Sequence, residues 1–128
     1  MKTTVLLLAT VSMLPIANIS NAQLPPAKPL HSPASVEGFI GGESHDSYVV
    51  HVCKGQVLTV RLAWLRDGDN QAEFNVTASP NSDSEAVKFG KWSEDNKRWS
   101  GKVPKTADYY IQVVAHPTAH YTLRVTVR

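Results

Sequence analysis

Apolar residues alternate with polar ones along most of the chain from Val36 onward, and this period of two constrains the fold more than any other feature. The alternation is clearest in residues 48–53, 58–64, 109–114 and 121–127. Successive side chains of a strand point to opposite faces, so such segments are typical of strands with one buried face. Beyond the N-terminus, no segment has apolar residues at helical spacing. The sequence therefore predicts an all-β protein.

Segments rich in Gly, Asp, Asn, Ser and Pro separate the alternating stretches and indicate turns, at residues 66–70, 79–83 and 93–96. Seven or eight short strands in about 90 residues favour an antiparallel, two-sheet β-sandwich, jelly-roll-like, around one core. The inward positions predict the core: Tyr48, Val50, Leu58, Val60, Leu62, Ile111, Val113, Leu123 and Val125.

The N-terminus has the features of a secretory signal peptide. Lys2 precedes an apolar run that breaks at Pro15, and small residues lead up to Ala22. The run is too short to span a bilayer, so residues 1–22 are predicted to be a signal peptide cut after Ala22. No cysteine follows the run, which argues against a lipid anchor. We expect a periplasmic or secreted protein.

The rest of the chain is predicted to form a leader and one domain. Residues 23–35 contain four of the eight prolines and predict an extended, proline-rich leader. Residues 36–128 then make a single β-sandwich domain of typical size. Cys53 is the only cysteine, so the chain has no internal disulfide and depends on its hydrophobic core. We expect Cys53 near a strand end, partly accessible and without a chemical role, in a monomer or weak homodimer.

The charge balance limits the classes of partner. Without residues 1–22, which carry only Lys2, the formal charge falls from +2 to about +1, with 12 basic and 11 acidic residues. A nearly neutral chain has no general electrostatic attraction for nucleic acid or anionic lipid. Recognition by charge would need a local patch.

Three groups of residues could carry chemistry, and each has a simpler interpretation. His51 and Cys53 lie two apart on one strand, but their side chains diverge and no third group orients them. Residues 67–70 have alternating Asp residues like part of a calcium loop, but the distal Glu is absent and a plain turn is favoured. His116 and His120 flank a predicted hairpin connection without a third metal ligand. We predict no enzyme, no metal and no cofactor.

Two stretches of the sequence resemble bacterial pre-peptidase C-terminal domains. The first, GFIGGESHDSYVVHVCKGQVLTVRL, holds an Asp-x-Tyr strand (Asp46, Tyr48) and a Lys-Gly turn (Lys54, Gly55). The second, GKVPKTADYYIQVVAHPTAHYTLRVTV, resembles the closing hairpin of that family. The resemblance covers residues 36–128 and implies an antiparallel sandwich.

Within that fold, a free-standing exported domain of this length is similar to the periplasmic inhibitors of goose-type lysozyme. Those proteins share the Asp-x-Tyr and Lys-Gly features. They also carry a Ser-Gly-x-Tyr motif, where this chain has Thr106-Ala107-Asp108-Tyr109 and keeps the hydroxyl and the Tyr. The resemblance implies binding to a lysozyme.

The candidate partner-binding residues occupy two loops that we expect at one end of the sandwich. The stretch 88–102 combines five basic residues with two Trp, of which Trp99 is predicted to be in the core. Trp92 could contact a sugar or an acidic cleft, or could simply cover the end of the sandwich. The candidates are Lys91, Trp92, Lys97 and Arg98 in one loop and Lys105, Thr106 and Tyr109 around the other.

These observations leave three hypotheses. The first is an exported, non-enzymatic binding domain that inhibits a lysozyme by steric occlusion of its cleft. The second is a carbohydrate- or cell-wall-binding module in which Trp92 stacks on sugars. The third is a structural envelope domain with no small ligand.

Overall fold

The computed structural model of the chain describes residues 26–42, 44–81 and 83–128. The predicted signal peptide, residues 1–22, and the first residues of the predicted leader lie outside them. The described residues form strands and no helix, so they include none long and apolar enough to cross a membrane. The strands are β1 (Lys28–Leu30), β2 (Ala34–Gly41), β3 (His45–Val52), β4 (Val57–Trp64), β5 (Gln71–Thr77), β6 (Gly90–Trp92), β7 (Arg98–Lys102), β8 (Ala107–His116) and β9 (Thr118–Val127).

The strands form two sheets that pack as a sandwich, which confirms the predicted fold. The four-stranded sheet has the order β1-β3-β8-β5, and the five-stranded sheet has the order β2-β9-β4-β7-β6. All pairs are antiparallel except β1 with β3. The two strands of only three residues, β1 and β6, are both edge strands.

The core between the sheets contains all nine residues that the alternation predicts. Each is buried, at 3% exposure or less. Trp99, predicted to be internal, is buried as well and packs against Phe89 with ring centroids 5.6 Å apart. Burial of this much apolar surface stabilises the fold without disulfides.

Consecutive strands mostly lie in opposite sheets, so the predicted closing hairpin is wrong. β8 pairs with β3 and β5, whereas β9 pairs with β2 and β4. The connection at Pro117 therefore crosses from one sheet to the other. The tight turn after β3 does the same, and among the described residues only β6 and β7 form a hairpin.

The sandwich begins earlier than the predicted boundary at residue 36. Within the predicted leader, β1 pairs in parallel with β3, with Lys28 opposite Tyr48 and Leu30 opposite Val50. Leu30 is buried in the core. Proline cannot donate to a ladder but is tolerated on an edge strand, which is where Pro29 lies.

The Asp-x-Tyr motif forms a hydrogen-bond chain between the sheets, which is buried at the two tyrosines and half-buried at Asp46. The Tyr121 hydroxyl, from the five-stranded sheet, donates to Asp46 Oδ2 at 2.5 Å. Because that proton is committed, the Tyr48 hydroxyl donates to the Tyr121 oxygen, also at 2.5 Å. Burial, and then the bonds to Asp46 and Tyr48, raise the pKa of Tyr121 well above its usual range. These residues hold the two sheets together.

Candidate functional site

The two predicted loops lie at opposite ends of β7, contrary to the expectation that they share one end of the sandwich. Arg98, which begins β7, is opposite Arg61, and the Lys97 carbonyl accepts from the Leu62 N–H at 2.8 Å. Lys102, which ends β7, is opposite the first residue of β4. Four residue steps of a strand separate the two ends by about 13 Å. The candidate residues therefore form two separate surfaces.

The second loop, residues 103–106, packs against the turn at residues 53–56, and we call this pair of turns the lysine end. The Gly55 N–H donates to the Val103 carbonyl and the Val103 N–H to the Gln56 carbonyl, each at 2.9 Å. The first bond depends on a left-handed backbone at Gly55 (φ 88°), which favours glycine. The Lys-Gly turn and the later loop, far apart in sequence, thus form one unit.

Hydroxyl groups of the Thr106-Ala107-Asp108-Tyr109 stretch fix this unit. The Thr106 Oγ1 accepts from the backbone N–H of Lys54 at 2.8 Å. Tyr109 is buried, and its hydroxyl donates to the carbonyl of Lys105 at 2.9 Å. A tyrosine hydroxyl is protonated and able to donate at neutral pH, and burial raises the pKa of Tyr109 further above its ordinary value. Tyr109 therefore supports the loop from beneath, and Thr106 ties the two turns together.

The exposed charges of the lysine end are basic. Lys54 and Lys105 are both exposed, and neither turn contains an Asp or Glu. The adjacent carboxylate, Asp108, is bound to His51 Nδ1 at 2.8 Å. Lys54 is not among the predicted site residues, although it belongs to the Lys-Gly turn of the resemblance. The contact of Lys54 with Thr106 depends on the tertiary fold, and no local sequence pattern predicts it.

Trp92, in the β6–β7 hairpin, both covers the sandwich and reaches solvent. Its ring packs against Phe74 of the other sheet with centroids 4.7 Å apart, and 41% of the residue is exposed. β5 and β6 are each an edge strand of their sheet, and the contact of Trp92 with Phe74 bridges the two sheets there. The two interpretations of Trp92 are therefore compatible.

The other charged residues of the β6–β7 hairpin lie partly in its turn and partly on its two strands. Lys97 Nζ lies 4.6 Å from the centre of the Trp64 ring, a cation–π contact. The hydroxyl of Ser93 and then the N–H of Lys97 lower the pKa of Asp95 and stabilise the turn. Lys91 and Arg98 are exposed on β6 and β7.

The other residues that could carry chemistry do not come together in one site. His116 Nε2 lies 3.3 Å from Glu73 Oε1, whereas the His120 ring packs against Phe39, tilted by 41° with centroids 4.5 Å apart. His51 contacts Asp108 and not Cys53. Among the described residues, no group of three or more His, Cys, Asp or Glu could hold a metal ion.

Cys53 lies directly after β3 and is exposed, as its place in the alternation predicts. We expect Cys53→Ser to leave the free energy of unfolding within about 0.5 kcal/mol of the native value, because surface changes of this kind are nearly neutral. Urea denaturation followed by Trp fluorescence measures this. The neighbouring Val52→Ser, which buries a hydroxyl in the core, is the control and should lose about 2 kcal/mol or more. A comparable loss in Cys53→Ser would contradict the prediction.

Comparison with solved structures places the fold beside a group of bacterial inhibitors. PliG of Aeromonas hydrophila, a periplasmic lysozyme inhibitor of g-type lysozyme, has a TM-score of 0.62 at 21% sequence identity, over 80% of this chain and 96% of that chain. PliG of Salmonella Typhimurium has a TM-score of 0.55 at 16% identity, over 81% of this chain and 100% of that chain. A PliG-Ec mutant from Escherichia coli has a TM-score of 0.51 at 18% identity, over 80% and 100%.

No protein-family model and no curated protein matches the chain in sequence. At the identities of the solved structures, the similarity establishes a shared fold. It agrees with the resemblance to goose-type lysozyme inhibitors, while the relation to pre-peptidase C-terminal domains stays a prediction.

Proposed function

We propose that the protein is an exported, non-enzymatic binding domain that inhibits a lysozyme by inserting the lysine end into its substrate cleft. The observation that carries the proposal is the placement of two exposed lysines, Lys54 and Lys105, on turns that bind each other. The similarity to PliG structures, whose proteins inhibit g-type lysozyme in the periplasm, supports this assignment. Export would follow cleavage after Ala22, to the periplasm or beyond.

The chemistry of a lysozyme explains why such a surface would bind. A lysozyme cleft must present carboxyl groups to its glycan substrate. Ammonium groups on exposed turns are complementary to those carboxyls. The bonds made by Thr106 and Tyr109 order the loop before it binds, which reduces the entropy lost on association. Occupation of the cleft excludes the substrate, and no covalent step is needed.

We expect the double variant Lys54→Gln/Lys105→Gln to bind a g-type lysozyme at least about tenfold more weakly than the native protein, because two complementary charges are lost. Isothermal titration and a peptidoglycan hydrolysis assay measure binding and inhibition. Binding by the native protein should weaken between about 0.05 and 0.5 M salt, since the screening length for exposed charges falls from about 14 Å to about 4 Å over that range. The double variant should show a smaller salt dependence.

The matched control removes the same charge elsewhere. Arg61→Gln/Arg98→Gln changes two exposed residues that are opposite each other on the five-stranded sheet, away from the lysine end. Arg98 is one of the predicted candidate residues, but it lies at the end of β7 opposite the lysine end, so this variant should bind lysozyme within about threefold of the native protein. Equal losses in both double variants, or native protein that does not inhibit, would contradict the proposal.

The alternative of a glycan-binding module has one observation in its favour, the 41% exposure of Trp92. Stacking of Trp92 on a sugar ring would be nearly insensitive to salt. Binding to peptidoglycan fragments that Trp92→Ala abolishes, without lysozyme inhibition, would support the module. Absence of both activities would leave the structural envelope domain.

A further inference from the structure

The outer face of the five-stranded sheet is strongly basic, although the chain as a whole is nearly neutral. Alternation along β4, β6, β7 and β9 directs five basic side chains outward, and all five are exposed. Of the outward positions on the five strands of this sheet, Glu37 on β2 is the only acid. We call this surface the basic face; its cations are Arg61, Lys91, Arg98, Lys102 and Arg124.

Three arginines form a row across the basic face. Arg61 on β4 is directly opposite Arg98 on one side and Arg124 on the other. Adjacent strands are about 4.8 Å apart, so the three side chains leave the sheet at that spacing. The two ion pairs found in the described part of the chain involve none of them. Like charges directly opposite each other destabilise a sheet, so folding alone does not account for the row.

The next row on the same face consists of hydroxyl groups. Thr59 is opposite both Ser100 and Thr126, and the Thr59 and Ser100 hydroxyl oxygens are 3.1 Å apart. Hydroxyls can donate to phosphate oxygens beside the guanidinium groups, which bind phosphate through two parallel hydrogen bonds. The face therefore combines the two kinds of donor that suit phosphodiester groups.

We propose that the basic face docks on an anionic phospholipid surface. The face is an open sheet surface whose charges span about 14 Å across four strands and about 13 Å along them, which suits an extended anionic plane. Phe39, which is 56% exposed, lies on the same face toward its edge, where its ring can enter the headgroup region. The arginine and hydroxyl rows carry no aromatic ring on which a base could stack, so single-stranded nucleic acid is a poorer match.

This surface is distinct from the lysine end and goes beyond the proposed inhibition. Lys54 and Lys105 lie on turns beyond the ends of the strands. The arginine row crosses the sheet within β9 and β4 and reaches β7 at its first residue, the end of β7 away from those turns. A domain could therefore lie on a membrane through one surface and keep the other free. The same two double variants separate the functions, because each is the control for the other.

The test is sedimentation with vesicles of phosphatidylglycerol and phosphatidylcholine in equal parts, compared with pure phosphatidylcholine, at about 0.05 M salt. The native protein should bind only the anionic vesicles and should dissociate as salt rises. Arg61→Gln/Arg98→Gln should bind about 30-fold more weakly, since each charge near an anionic surface contributes about fivefold. Lys54→Gln/Lys105→Gln should bind like the native protein.

Stability in urea without vesicles provides the second readout. The row is repulsive in the free protein, so Arg61→Gln/Arg98→Gln should have a denaturation midpoint no lower than the native protein at low salt. If that variant fails to fold, Arg124→Gln alone should reduce vesicle binding about fivefold. Three results would each overturn the proposal: no binding of native protein to anionic vesicles, equal loss in the lysine variant, or binding to a single-stranded oligonucleotide but not to vesicles.

Discussion

Gly90→Ala is expected to lower the free energy of unfolding by about 3 kcal/mol, because overpacking forces buried groups off their preferred positions. A Cβ added at Gly90 would lie 2.0 Å from Cε2 of Trp99 and 2.1 Å from Cζ2. The indole cannot move away, since Trp99 is buried and packs against Phe89, the residue before β6. The indole also lies close to Gly101, which is opposite Gly90 on β7: a Cβ added there would be 2.9 Å from Trp99 Cη2. Urea denaturation measures the loss.

Two controls separate this clash from a general effect of replacing glycine. A Cβ at Gly41, in β2, would meet the ring of the exposed Phe39 at 3.2 Å and Thr118 Cγ2 at 3.7 Å, so Gly41→Ala should change stability by less than about 1 kcal/mol. In a Trp99→Phe background the atoms nearest the new methyl group are gone, so Gly90→Ala should cost less than half as much there. Equal costs in the two backgrounds would show that the indole is not the cause.

Tyr121→Phe is expected to lower the free energy of unfolding by about 1–3 kcal/mol, although it removes a single oxygen atom. The hydroxyl donates to Asp46 and accepts from Tyr48, so its loss leaves a carboxylate and a buried hydroxyl without their partners. Thermal and urea unfolding measure the effect. Tyr110→Phe, at a half-buried position on β8, is the control and should be nearly neutral.

A double-mutant cycle identifies the hydrogen-bond chain as the source of that loss. Once Tyr121 is Phe, the Tyr48 hydroxyl has already lost its acceptor, so adding Tyr48→Phe should cost much less than it does alone. Additive losses would mean that the two hydroxyls contribute independently.

The pH dependence of the free energy of unfolding is a second test of Tyr121→Phe. The folded state raises the pKa of Tyr121 above its ordinary value of 10.0, chiefly through burial. The stability that the Tyr121 hydroxyl contributes is therefore complete below pH 10. It is lost as the pH rises above that value, because Tyr121 ionises first in the unfolded chain. Between about pH 9 and 11 the native protein should lose stability more steeply than Tyr121→Phe. Parallel curves would contradict this.

The alternation of side chains is enough to predict much of the fold. It assigns Val60, Ile111 and Leu123 to the core, and each is buried. It also places Cys53 outside, near a strand end, where it lies. These predictions hold because the direction of a side chain depends on the local backbone, whose period of two is independent of the partner strand.

Local sequence could not determine which sheet each strand joins. A hairpin and a crossing between sheets bury the same alternate residues, so the stretch from Tyr109 to Val127 fits both. Only the pairing of β8 with β3 and of β9 with β4 distinguishes them. The error in the predicted hairpin has this cause. The separation of the two candidate loops likewise depends on pairing, through the register of β7 on β4.

Both candidate surfaces are products of that register. Lys54 meets Thr106 across 52 positions of sequence, and Arg61 meets Arg98 and Arg124 from two other strands. In the sequence, each of these residues has only the features of an ordinary turn or of an outward strand position. The sequence by itself determined which side chains are buried, because that depends on one strand at a time. Only the tertiary structure decided which exposed side chains are neighbours, because strand pairing is set by contacts over the whole core.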